Sequence, residues 1–200
     1  MSPGPDAGDG VELVVLLDEG GRAIGSTAKA GVHHADTPLH LAFSCYLFDD
    51  RGRLLLTRRA LHKPTWPGAW TNSVCGHPAP GEDVHNAVRR RVLAEVGARA
   101  EGVRLLLPRF RYRAVMANGV VENEMCPVLV ATTADPLAPD PEEVAEARWT
   151  DWGAFRAGVL DGSREVSPWC RDQVRQLPAD PLAAGAQPVS ALPPALRDLR

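Results

Sequence analysis

The apolar positions fall into short runs separated by turn residues. VELVVLL (residues 11–17) is a nearly unbroken apolar run, DEGG breaks it, and RAIGS continues beyond, so two short strands are expected. HLAFSCYLF and RLLLTRR flank DDRG and predict a hairpin, and AWTNSV predicts a further strand. EDVHNAVRRRVLAEVG has the spacing of a helix, with acidic residues in its first turn and Gly97 just past its end. RFRYRAVM and VVENEMCPVLVATT flank ANG as a second hairpin, and EARWTD predicts a short strand. DWGAFRAGV is a helix started by Asp151; SPWCRDQVRQL is another, with Ser167 as cap and Pro168 in its first position. Strands outnumber helices and their connections are tight, which predicts an α+β domain with mixed or antiparallel sheets flanked by helices.

Composition sets the boundaries. Residues 1–10 are rich in Gly, Pro and Asp, and residues 178–200 in Ala and Pro. Both ends are expected to be loose around one folded domain spanning residues 11–177, the second with one short helical possibility at its end. The net charge of −3 and the scattered basic residues argue against nucleic acid as a partner and leave room for a small anion. Cys45, Cys75, Cys126 and Cys170 form no C-x-x-C pair and are read as reduced thiols. With neither a secretory signal pattern nor an apolar run of bilayer length, a cytoplasmic monomer without membrane contact is expected.

Candidate chemistry concentrates in three places. TNSVCGHP sets Cys75 two residues from His77: a nucleophile with its base, a pair of metal ligands, or a turn. VENEM, read as a strand, turns Glu122 and Glu124 to one face. Taken alone, the pair reads as the solvated face of an edge strand, a position that Pro127 fits. Together with His33, His40 and His77, the same two carboxylates would make a site for a first-row divalent ion. The hairpin offers a geometric criterion. A two-residue Asn118-Gly119 turn puts Arg113 opposite Glu124, whereas a three-residue Ala117-Asn118-Gly119 loop with Gly119 left-handed puts Tyr112 there.

From Gly76 the helix region resembles the Nudix signature G-x5-E-x7-R-E-U-x-E-E-x-G-U, with Gly76, Glu82, Arg90, Glu95 and Gly97 in register. Arg91 and Ala94 replace two of its glutamates, which weakens a hydrolytic metal cluster. HHADTPLHLAFSCYLF, TRRALHKPTWPGAWTNSVCGHP, FRYRA, VENE-CPV and SPW resemble, in order, segments of the type I isopentenyl-diphosphate isomerases, a Nudix-fold family. The resemblance implies a Nudix-type fold and the reversible conversion of isopentenyl to dimethylallyl diphosphate through a carbocation-like intermediate. It implies one Mn2+ or Zn2+ (or Mg2+) on His33, His40, His77, Glu122 and Glu124. A Mg2+ on the diphosphate would be placed by Glu95 and the Cys75 carbonyl. Cys75 and Glu124 are implied as the acid/base pair, with Tyr112 assisting. Lys29, Arg59 and Lys63 are implied at the diphosphate, and Trp169, which by itself reads as a core residue, over the hydrocarbon end. A Nudix hydrolase and a non-catalytic Nudix-like binding module are the alternatives, and Arg91 and the retained Cys75 and Glu124 speak against them.

Overall fold

A computed structural model describes residues 11–198; the expected loose segment 1–10 lies outside the described residues. In chain order the strands are β1 (Leu13–Leu17), β2 (Ala23–Ala28), β3 (His40–Leu41), β4 (Phe43–Phe48), β5 (Arg53–Arg59), β6 (Trp70–Thr71) and β7 (Val74–Gly76). Helix α1 (Val84–Val96) follows, then β8 (Glu101–Leu107), β9 (Arg111–Val115), β10 (Val121–Met125), β11 (Val128–Thr132) and β12 (Val144–Asp151). Helices α2 (Trp152–Asp161), α3 (Pro168–Gln176) and the short α4 (Pro194–Arg197) complete the order. One sheet has the strand order β2-β1-β3-β10-β9 and the other β12-β5-β4-β11-β8.

The second sheet is buried on both faces, and its central strand shows why. Phe43, Cys45 and Leu47 of β4 pack with Val84, Val88, Val92 and Val96 of α1. Tyr46 and Phe48 point the other way, towards Trp152 and Phe155 of α2 and Cys170 and Val174 of α3. Asp83 caps α1 by accepting from the amides of His85 and Asn86, so the acidic residues stand before the helix and not in its first turn. Gly97 ends α1 at φ 69°, and a Cβ there would lie 2.7 Å from the Ala138 carbonyl oxygen, so only glycine fits.

Three expected elements are divided, each for a physical reason. The run 120–133 is not one strand: β10 belongs to the first sheet and β11 to the second. Pro127 at the junction has no N–H to continue the ladder. The run 40–48 breaks beside it at Ala42, whose amide donates to Met125 O at 2.9 Å, while Ser44 N donates to Pro127 O at 3.0 Å. Two parallel strand pairs, β3 with β10 and β4 with β11, thus change sheet together. The β4–β5 hairpin pairs at Phe48–Leu54 by the turn. Beyond that, the segment 70–76 is wedged between the strands as two short strands, β6 on β5 and β7 on β4. Where the wedge has no ladder, the Ser73 hydroxyl bridges Leu47 N and Leu55 O, each at 2.7 Å.

The C-terminal segment corrects the expectation of a loose tail. Leu192 and Leu196 are buried in the main core. Its carbonyls find donors across the fold: Arg104 donates to Leu182 O at 2.8 Å and Trp152 Nε1 to Ala179 O at 2.7 Å. Ala195 N closes on Gly21 O at 3.0 Å. Few apolar residues suffice here because side chains of the body satisfy the prolyl-rich backbone. Strand β8 pairs with β11, an element that EGVRLLL does not announce by alternation. Among the described residues no helix is long and apolar enough to cross a membrane.

Candidate active site

The sheet crossing builds the site. At the point where β3 lies beside β10, His40 pairs with Glu124. β7 brings in His77, and the 3-10 turn Lys29–Gly31 leads to His33. The Nε2 atoms of His33, His40 and His77 approach one oxygen of Glu124, at 4.0, 3.4 and 3.3 Å. Their four ligand atoms all lie within 4.8 Å of one another. His40 Nδ1 stands 3.0 Å from Pro38 O, a contact that orients the ring and turns Nε2 towards Glu124. The Nε2 atoms of His33 and His40 are buried without a hydrogen-bond partner. Three buried imidazole nitrogens and a carboxylate converging on one point fit a divalent metal ion.

Glu122 stands outside that group of four. Tyr112 O–H lies 2.9 Å from a Glu122 oxygen and 2.8 Å from a Glu124 oxygen, bridging the two carboxylates. The register is that of the three-residue loop: Tyr112 faces Glu124, Met116 N donates to Val120 O at 2.8 Å, and Gly119 is left-handed at φ 85°. The two acids therefore sit in different electrostatic states. Burial and the neighbouring Glu124 charge push Glu122 up. Burial also pushes Glu124 up, but the three imidazoles outweigh it and hold that carboxyl well below its usual range.

Both acids open on a cavity of about 570 Å³ that also takes in Cys75, His33, His77, Tyr112 and Trp169. His40 is buried behind it, its ring 5.2 Å from that of His33 and 5.4 Å from that of His77. Burial pushes the Cys75 thiol up to about 12, so it carries its proton at neutral pH. Burial likewise raises the Tyr112 phenol, helped by the charges of Glu122 and Glu124. The Trp169 ring lies 5.7 Å from that of Tyr112 and 5.8 Å from that of Trp66. Trp66 holds φ at 49°, a conformation a bulky residue adopts only when its surroundings impose it.

The same cavity is lined by Lys29, Arg59 and Lys63, each already held by a partner. Lys29 pairs with Glu12 at 3.0 Å and Lys63 with Glu143 at 2.5 Å, while Arg59 donates to the Thr65 carbonyl at 3.0 Å. Arg91 pairs with Glu95 and lies 3.5 Å from Glu143. Burial pushes Glu95 up, against the pull of Arg91. Glu82 is not among the four converging ligand residues and pairs with Arg90, which also donates to the His77 carbonyl at 3.3 Å. These two signature residues brace the loop that carries His77. Sequence reasoning missed Glu12 and Glu143, two loop acids in which no pattern distinguishes a counter-ion from surface charge. It also missed Ser44, whose hydroxyl lies 3.4 Å from Cys75 Sγ. The one available signal was a polar residue inside the apolar run of β4.

Comparison with known proteins places the chain in a family. Residues 38–170 match the NUDIX domain family. The fold resembles that of a Deinococcus radiodurans protein, with a TM-score of 0.63 at 17% identity over 83% of this chain and 99% of the other. It also resembles a MutT protein from Methanosarcina mazei, with a TM-score of 0.53 at 17% identity over 70% of this chain and 93% of the other. Fold and family match together define a Nudix-class protein. The sequence is 60% identical to the isopentenyl-diphosphate Delta-isomerase of Saccharopolyspora erythraea, over 84% of this chain and 86% of that one. It is 58% identical to the enzyme of the same name from Mycolicibacterium vanbaalenii, over 86% and 94%. With that of Frankia alni it shares 52% identity over 94% and 100%. The chain belongs to the isopentenyl-diphosphate Delta-isomerase family.

Proposed function

We propose that this cavity interconverts isopentenyl and dimethylallyl diphosphate, with Cys75 and the Glu124–Tyr112 pair as the two proton-handling groups. The observation that carries this reading is their common opening: a thiol on β7 and a bridged carboxylate on β10 line one cavity together with the Trp169 indole. Moving a double bond by one carbon adds a proton at the terminal carbon and removes one from the carbon on the far side of the former alkene. Two groups are needed, one for each face of the flat substrate. The group that gives in one direction takes in the other.

Tyr112 holds a hydrogen between Glu122 and Glu124 and can pass it along that bridge. The intermediate carries positive charge on carbon, and an indole face stabilises it by about 0.5–2 kcal/mol without offering a nucleophile. Trp169 takes that role. Lys29, Arg59 and Lys63 receive the diphosphate, each by exchanging its present partner for a phosphate oxygen. Binding energy from this unreactive group serves to dry and close the site.

His33, His40, His77 and Glu124 would hold one Mn2+ or Zn2+, with Glu122 as an outer neighbour, and Glu95 with the Cys75 carbonyl would help place a Mg2+ carried by the diphosphate. When bound, these ions supply positive charge that balances the carboxylates and the substrate. Arg91 in place of a signature glutamate speaks against hydrolysis at the same helix, because it puts a cation where a metal-binding carboxylate is needed.

The test is to incubate the purified chain with isopentenyl diphosphate, Mg2+ and Mn2+ and to follow products by phosphorus NMR. The expected result is an isomeric diphosphate with no inorganic phosphate released. Release of phosphate or of a monophosphate would replace this reading by a hydrolase.

A further inference from the structure

Asn72 occupies the break between β6 and β7 and has no exposed surface. Its Nδ2 donates to the carbonyls of Cys45 and Val74, each at 3.1 Å. Carbonyls only accept, so these two contacts fix which way round the amide lies. Its Oδ1 then meets three donors: the Thr71 hydroxyl at 2.9 Å, the Trp169 indole N–H at 3.2 Å and the Cys75 thiol at 3.3 Å. The Thr71 hydroxyl also contacts that of Ser167, the cap of α3, at 2.8 Å. One oxygen therefore ties the thiol of β7 to the first turn of α3.

A second string runs from the same sulfur to the same helix. Tyr46 O–H donates to Gln173 Oε1 at 3.0 Å, which leaves Gln173 Nε2 to donate to Ser44 Oγ at 2.8 Å. The Ser44 hydroxyl lies 3.4 Å from both Cys75 Sγ and Cys126 Sγ. Ser44, Asn72 and Gln173 are all fully buried.

We propose that Asn72 is a positioning residue for the double-bond shift: its side-chain oxygen sets the spacing between the Cys75 thiol and the Trp169 indole. This rests on the isomerase reading above. Burying polar side chains is unfavourable unless every partner is met, and plain packing would need only apolar groups. What the network adds is direction, because hydrogen bonds lock the rotamers of both side chains. A thiol that must reach one carbon and an indole that must face its neighbour depend on that spacing, and a misplacement of about 1 Å can slow a reaction about 10²-fold. None of the hydrogen bonds of Asn72 goes to Lys29, Arg59 or Lys63, so substrate affinity does not depend on it.

The test compares the unaltered chain with Asn72→Leu, which keeps the volume and loses the oxygen. The expected result is a kcat lower by about 10²-fold with unchanged KM for isopentenyl diphosphate and unchanged manganese content. A folded variant with normal kcat, or with raised KM at normal kcat, overturns the proposal. Asn72→Leu also leaves the Cys45 and Val74 carbonyls without donors, so a measurement that keeps Asn72 is needed as well. In nitrogen-15 spectra the Trp169 indole signal is assigned by its disappearance in Trp169→Phe. Cys75→Ala removes one of the three donors competing for Oδ1, so the Trp169 signal is expected to move downfield while that of Trp149 stays. A Trp169 signal indifferent to Cys75→Ala overturns the shared oxygen. If the unaltered chain does not isomerise, the isomerase reading fails, and the spectra still report on the oxygen.

Discussion

Glu124 stands opposite Tyr112 in the β9–β10 ladder, and the two meet through a hydrogen bond of 2.8 Å. The same hydroxyl reaches Glu122 at 2.9 Å, so one phenol separates two buried carboxylates and carries the hydrogen they share. Tyr112→Phe removes that hydrogen and keeps the ring against Trp169. Loss of a positioned proton carrier predicts a kcat lower by about 10²-fold with the bound metal retained. Steady-state kinetics with metal analysis checks this; unchanged kcat would remove Tyr112 from the proton path.

The register depends on Gly119, left-handed at φ 85° with nothing within 4 Å of where a Cβ would stand. Substitution there meets no clash, so backbone strain is the whole effect. Gly119→Val is expected to lower stability by about 1–2 kcal/mol in urea unfolding, with activity per folded molecule reduced if the loop re-registers. No loss of stability would mean that the loop tolerates another turn type.

Three imidazoles and a carboxylate converging on one point should be stabilised by the ion they fit. Manganese added to chelator-treated protein at about a hundred times its dissociation constant is expected to stabilise the fold by about 2.7 kcal/mol, and His40→Ala should abolish the effect. Thermal unfolding measures it. Equal stabilisation in His40→Ala would place the ion elsewhere.

In the ion-free protein, burial holds the His77 imidazole down to about 4, from an ordinary value of 6.5. Below pH 6.5 the unfolded chain takes up a proton that folded His77 refuses, so its contribution to stability falls as the pH drops towards 4. His40 works with the opposite sign: burial lowers it, but Glu124 outweighs burial and raises it, so its contribution is present at low pH and lost as pH rises. Comparison of the unaltered chain with His77→Gln isolates the first effect. The stability difference between them should shift against the unaltered chain on going from pH 6.5 to 4.5, by at most about 1.4 kcal/mol per pH unit. A shift in its favour would mean that His77 is charged in the folded state.

The C-terminal segment belongs to the core, since Leu192 is 1% exposed. Leu192→Ala is expected to lower stability by about 2–5 kcal/mol, the usual range for emptying a packed leucine site. A change under about 0.5 kcal/mol, the size of an ordinary surface substitution, would show that the segment does not hold in solution.

Much of the site was legible because its parts announce themselves locally. Asn118-Gly119 marks the turn but leaves two registers open, of which the fold takes the one that faces Tyr112 with Glu124, and Cys75 and His77 lie on one short segment. The sheet change at Ala42 and Pro127 was not legible, because each run keeps its apolar pattern across the break and only the partner strand changes. Asn72, Ser44 and Gln173 escaped for a related reason: each is an ordinary polar residue until the fold brings β4, β7 and α3 together. The packed tail was hidden because its prolines hide how few leucines are needed once Arg104 and Trp152 satisfy its carbonyls.

Proton NMR in deuterated water, with isopentenyl diphosphate, Mg2+ and Mn2+, follows both the product and the proton added to it. Dimethylallyl diphosphate carrying deuterium in a methyl group, formed by the unaltered chain and not by Cys75→Ala or Glu124→Gln, is the predicted result. Isomer formed at an undiminished rate by either variant, or none formed by the unaltered chain, would contradict the two-group mechanism at this cavity.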